Sequence, residues 1–112
     1  MMAVSASNDP DCKDGYGPYL PGIELIPFNN IPALEKALED PNVCAFLVEP
    51  IQGEAGVMVP DEGYLRKAYD LCKSKNVLFI ADEVQTGLCR TGKRKCAQKD
   101  EKPSRNSPKL YQ

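Results

Sequence analysis

"VLFIADEVQTG", residues 77–87, runs five apolar residues into two adjacent carboxylates and then into a polar loop closed by glycine. An apolar run without alternation fits a strand covered on both faces of a parallel sheet. A second such run, "VCAFLV" at 43–48, precedes it and ends at Glu49-Pro50. Between the two, Leu65, Ala68, Tyr69 and Cys72 recur at i, i+3, i+4 and i+7, the pattern of an amphipathic helix, with Asp61 as its expected N-cap. Strand, helix and strand in this order form a βαβ unit whose two strands run parallel. Parallel strands deliver the residues that follow them to one sheet edge. Glu49 and Asp82 are therefore expected together at the carboxyl edge, where open α/β sheets bind their ligands.

Upstream, "NNIPALEKALEDP" predicts a short helix: Asn30 can cap it, Pro32 suits its first turn, Leu34, Ala37 and Leu38 share a face, and Pro41 ends it. Residues 1–30, rich in Pro, Gly, Asn and Asp, read as loop or extended arm. Residues 31–92 read as a partial α/β domain. From Lys93 to Gln112 the chain has few apolar residues and two prolines, so it reads as a disordered basic tail. Charge divides the same way. Residues 1–92 hold 7 Lys and Arg against 14 Asp and Glu, and residues 93–112 hold 7 against 2, giving −7 and +5.

An acidic body argues against nucleic-acid binding. Five cysteines, odd in number and without a Cys-x-x-Cys pair, read as reduced thiols, with Cys44 and Cys72 packed among apolar neighbours; the absence of histidine excludes mixed zinc sites. No apolar run approaches the ~20 residues of a membrane span, and the first residues have the makeup of neither a secretory nor a mitochondrial address.

A carboxylate such as Asp82 at the mouth of a parallel sheet can cap a helix, face water, bind a metal, act as an acid or base, or neutralise a cationic cofactor. Glu49, Glu54 and Glu83 could supply further oxygens to a metal, but no recognised ligand spacing joins them. A paired-carboxylate hydrolase is a further reading with little specificity. In "VEPIQGEAG", Gly53 and Gly56 flank Glu54 and permit a tight backbone path that presents its side chain, or simply a surface turn. The stretch contains neither of the common glycine-rich phosphate motifs.

"YGPYLPGIELIPFNNIPALEKAL" (16–38), "FLVEPIQGEAGVMVPDEGYL" (46–65) and "VLFIADEVQTGLCRTGK" (77–93) resemble consecutive parts of class III pyridoxal-phosphate-dependent aminotransferases, and among these the ornithine-type members most. The resemblance runs from about residue 3 through Lys93. It implies part of the large cofactor-binding domain of a fold-type I transferase. It also implies that Asp82 keeps the pyridine nitrogen of pyridoxal phosphate protonated, that Gln85 bonds the ring's phenolic oxygen and that Val84 packs on the ring face. Glu54 is implied to pair with a distant arginine that otherwise grips the α-carboxylate of 2-oxoglutarate. Glu49 is implied to support the substrate site by hydrogen bonds, and Glu83 to be structural.

For the full-length family the resemblance implies transfer of an amino group from ornithine to 2-oxoglutarate, homo-oligomers and a mitochondrial matrix location; without a targeting signal in this chain, a cytoplasmic one stays open. The family's Schiff-base lysine follows a further apolar strand within a Gly-Lys-Ala-Leu-Ser-Gly-like loop. Lys109, in the polar setting "NSPKLYQ", does not match it, so no catalytic residue is assigned. The expectation is a truncated product or gene-model fragment, inactive alone, whose sequence from about Arg94 comes from a shifted frame or read-through. The alternative is a non-catalytic binding or regulatory fragment that associates with a full-length aminotransferase subunit.

Overall fold

The computed structural model of the chain describes residues 2–92; the expected disordered tail, with Cys96 and Lys109, lies outside the described residues. The elements are α1 (Met2–Ala6), α2 (Pro10–Lys13), α3 (Ile31–Ala37), β1 (Ala45–Val48), α4 (Tyr64–Ser74) and β2 (Leu78–Ala81). β1 and β2 pair in parallel, with Ala45 opposite Leu78 and Val48 opposite Ala81. The βαβ unit is thus β1, α4 and β2, and the chain has the α/β fold that the apolar runs imply.

One hydrophobic cluster holds these pieces together. Leu34 and Leu38 from the α3 side meet Ala68 and Cys72 of α4, and Phe46 and Phe79 of the sheet pack against them. The two phenylalanines are partners across the strands, with ring centroids 6.0 Å apart, and Tyr69 meets Phe79 edge-on at 5.8 Å. Side chains alternate across a strand, so Ala45, Leu47, Leu78 and Ile80 belong to the opposite face. There Leu47 is 41% and Leu78 62% exposed. The expected burial on both faces is therefore met on one face only, because α3 and α4 both lie on the side of Phe46 and Phe79.

Helix starts match the sequence unevenly. Asn30 caps α3 as expected, its Oδ1 accepting from the Ala33 N–H at 2.9 Å. Asp61 does not cap α4: the cap is Gly63, in the left-handed region at φ 80°, without a side-chain bond. The chain makes one more turn first, in which the Asp61 carbonyl accepts from the Tyr64 N–H at 3.1 Å. The buried line of α4 is Tyr64, Ala68 and Cys72, whereas Tyr69 is 40% exposed.

Residues 1–30, read as loop or extended arm, also contain α1 and α2. In α2 the Asp9 side chain accepts from the Asp11 N–H at 3.0 Å and Pro10 occupies the first turn, a local start signal that glycine and proline content alone obscures. Ser5 is buried, and its Oγ accepts from the Leu20 N–H at 2.8 Å, tying α1 to the following arm. Cys72 is buried as expected, but Cys44 is exposed: it precedes β1 and lies outside the cluster. All four described cysteines are free thiols. No helix among the described residues is long and apolar enough to cross a membrane.

Candidate functional site

The carboxyl ends of β1 and β2 lead into two loops that meet. The Asp82 N–H donates to the Val48 carbonyl at 2.8 Å, which extends the ladder by one bond and fixes Asp82 at the rim. Its Oδ1 then accepts from the Val84 N–H at 3.0 Å, the local bond with which an aspartate starts a turn. The turn closes where the Gly87 N–H donates to the Glu83 carbonyl at 2.8 Å. A β carbon on residue 87 would stand 2.8 Å from that carbonyl oxygen, so the close approach requires glycine.

The β1 loop folds back on itself. Gln52 and Met58 form an antiparallel bridge, and the Gly53 carbonyl accepts from the N–H groups of Gly56 and Val57 at 3.1 and 3.0 Å. Gly56 has φ 106°, a conformation that favours glycine. Glu49 Oε2 accepts from the Gly53 N–H at 3.3 Å. Across the gap, Gln85 Nε2 donates to Glu54 Oε1 at 3.0 Å.

Glu49, Glu54 and Gln85 are thus linked through Gly53 and its neighbours, and Asp82 stands on the same rim. Val84 is 92% exposed, and Glu54 and Gln85 are also open to solvent. The two oxygens of Asp82 differ: Oδ1 is engaged by Val84, whereas Oδ2 has no protein partner among the described residues. No three or more Cys, Asp or Glu side chains among the described residues converge as metal ligands. Thr86, to which no sequence motif points, is 5% exposed, and its Oγ1 has no hydrogen-bond partner among the described residues. Gly53 supplies more than the backbone freedom its sequence context suggests, since it lies directly against the Gln85 carboxamide.

The family model described as "Aminotransferase class-III" matches residues 1–104. The chain belongs to the class III aminotransferases. That match continues past Lys93, where the resemblance read from the sequence stops. "Ornithine aminotransferase, mitochondrial" of Drosophila ananassae is 67% identical over 93 residues, covering 83% of this class III chain and 22% of that protein. An ornithine aminotransferase structure from Toxoplasma gondii, described with partial occupancy of PLP at its active site, is 59% identical; it covers 86% of this chain and 22% of its own, with a TM-score of 0.83. An acetylornithine aminotransferase from Elizabethkingia anophelis is 61% identical over 69% of this chain and 21% of its own, with a TM-score of 0.67. The chain spans about a fifth of the length of these relatives. Class III aminotransferases depend on pyridoxal phosphate and act on amino acids and oxo acids.

Proposed function

We propose that this chain forms part of the cofactor and substrate site of an ornithine-type aminotransferase, the whole protein transferring the δ-amino group of ornithine to 2-oxoglutarate. The observation that carries the reading is the parallel pairing of β1 and β2, which sets Asp82 on one rim with Glu49, Glu54 and Gln85. Bound pyridoxal phosphate would supply an electron sink for the carbanion formed at the substrate carbon.

The residues fit the ring-facing half of such a site. Asp82 Oδ2, open while Oδ1 is held by Val84, suits a pyridine N–H and would hold its proton there. Gln85 keeps a second amide hydrogen beyond the one given to Glu54, available to a phenolic oxygen. Val84, exposed beside them, is the apolar surface against which the ring would pack. Glu54 would take an arginine from another part of the protein, releasing or withholding that cation from the substrate carboxylate. Glu49 holds the Gly53 N–H and so sets the path of the loop.

The tethering half does not fit. Neither rim loop, 49–58 or 82–92, contains a lysine; the described lysines lie on α2, α3 and α4 and at Lys75, which closes the C-terminal end of α4. The described residues thus supply no tether at the rim, and we infer that the chain is inactive alone. Incubating it with pyridoxal phosphate, reducing with borohydride and recording the intact mass tests this. Scattered substoichiometric adducts are expected, and one stoichiometric adduct at a single lysine would refute the reading. The names of the relatives support a mitochondrial location and, for the complete enzyme, a homo-oligomer remains part of the proposal.

A second reading is association with a full-length aminotransferase subunit. The exposed Leu47 and Leu78, on a two-stranded sheet whose outer edges carry no further strand among the described residues, favour it. Co-purification of tagged chain with full-length enzyme supports it. A monomer by gel filtration that captures none counts against it.

A further inference from the structure

We propose that Gly53 is a positioning residue for Gln85: the space left by its missing side chain is where the Gln85 carboxamide lies, and that space lets Gln85 reach Glu54. Its meaning for catalysis rests on the roles proposed above for Gln85 and Glu54, whereas its geometry stands without them. A β carbon on Gly53 would overlap Gln85 Oε1 and stand 2.7 Å from Cδ and 3.1 Å from Nε2. Non-bonded carbons in contact keep about 3.5–4.0 Å. The backbone imposes no such demand, because Gly53 is not among the residues with positive φ, unlike Gly56 three positions later. Glycine at 53 is required for room, and glycine at 56 for conformation.

The loop cannot simply withdraw to make that room. Gly53 is held by Glu49 at its N–H and by Gly56 and Val57 at its carbonyl. What can move is the Gln85 side chain, which is exposed and long. Alanine at 53 therefore leaves the two loops and the core in place and displaces only the carboxamide, breaking its 3.0 Å bond to Glu54. Residue 53 thereby decides whether a ring-contacting amide and a substrate-site carboxylate act as one unit.

Solution NMR on the isotope-labelled 112-residue chain tests this without cofactor or turnover. The expected results are a nuclear Overhauser contact between the Gln85 side-chain amide and Gly53 Hα, and a shift of the Gln85 side-chain 15N resonance on Glu54→Gln, which removes the charge and keeps the shape. In a Gly53→Ala background the same Glu54→Gln change should leave that resonance unmoved, while backbone resonances of α3, α4 and β2 stay where they were. A merely structural glycine would shift those backbone signals instead. Gly53→Ala should also cost no stability in a Gln85→Ala background, where the overlap is gone. Persistence of the Glu54 response with alanine at 53, or no contact in the wild-type chain, including one that fails to fold, overturns the proposal. Binding of pyridoxal phosphate to the wild type and to Asp82→Ala, followed by absorbance, reads the functional proposal separately, so either can fail alone.

Discussion

Leu34 and Leu47 allow the same deletion on opposite sides of the fold. Leu34 is 1% exposed and sits in the cluster with Leu38, Ala68 and Cys72, whereas Leu47 is 41% exposed on the uncovered face of β1. Truncating a fully enclosed leucine to alanine loses its transfer free energy and leaves a cavity, together about 3–4 kcal/mol. Leu47 has only part of its surface to lose and its neighbourhood opens to water, so no enclosed cavity forms and about 1 kcal/mol is expected. With an m-value of about 1.5 kcal/mol/M in urea, the midpoint falls by about 2–2.7 M for Leu34→Ala and by about 0.7 M for Leu47→Ala. Urea titration followed by far-UV circular dichroism, at two protein concentrations, measures both. Equal shifts at both concentrations would refute the one-sided fold, since Leu47 would then be covered within the chain itself. A Leu47 cost that grows with protein concentration would instead place that face in a self-association contact.

Asn30→Ala removes the acceptor for the Ala33 N–H and should destabilise α3 by about 1 kcal/mol, read from the same urea midpoint, while Asn30→Asp should be nearly neutral. Thiol alkylation followed by peptide mass spectrometry should modify Cys44 and Cys89 fast and Cys72 only after denaturation, since Cys72 is buried and burial pushes its thiol up. Cys12 is exposed, yet its hydrogen bond to the Asp9 carboxylate also holds its thiol up, so it should react more slowly than Cys44, and Asp9→Asn should remove the difference. The fold should weaken in alkali. Burial raises Cys72 and Tyr64 above 9.0 and 10.0, so the unfolded chain releases those protons first; their contribution is intact below about pH 9 and lost as pH rises further. Thermal melts between pH 7 and 11 test this, and Cys72→Ala should flatten the onset.

The strands and their direction were legible because the two apolar runs, 43–48 and 77–81, are too short for helices and flank an amphipathic one. Trimming to 45–48 and 78–81 reflects the ladder, since Val43 and Val77 still pack on the cluster without pairing. The side that stays uncovered was not legible, because periodicity shows that a strand is apolar on both faces and says nothing of what covers them. Asp61 misled because an acid before an apolar face is the usual cap, whereas here Gly63 takes a left-handed turn first. At the rim, residue types and parallel direction placed Asp82 and Glu49 together. The bond between Gln85 and Glu54 links residues 31 positions apart, and no local pattern announces it.

Two kinds of force set the rim, and they fail differently. The strands are indexed by apolar packing: slipping β2 by one residue against β1 would turn Phe79 away from the cluster and bring Leu78 toward it, so register resists change as a block. Asp82 inherits that resistance, because its N–H is the next rung of the ladder. Glu54 and Gln85 inherit none of it. They are placed by a few exposed polar bonds, each worth about 1 kcal/mol, and by the room at Gly53. Core substitutions should therefore remove Asp82 from the rim only by unfolding the chain, whereas single changes in the loops can separate Gln85 from Glu54 while the fold persists.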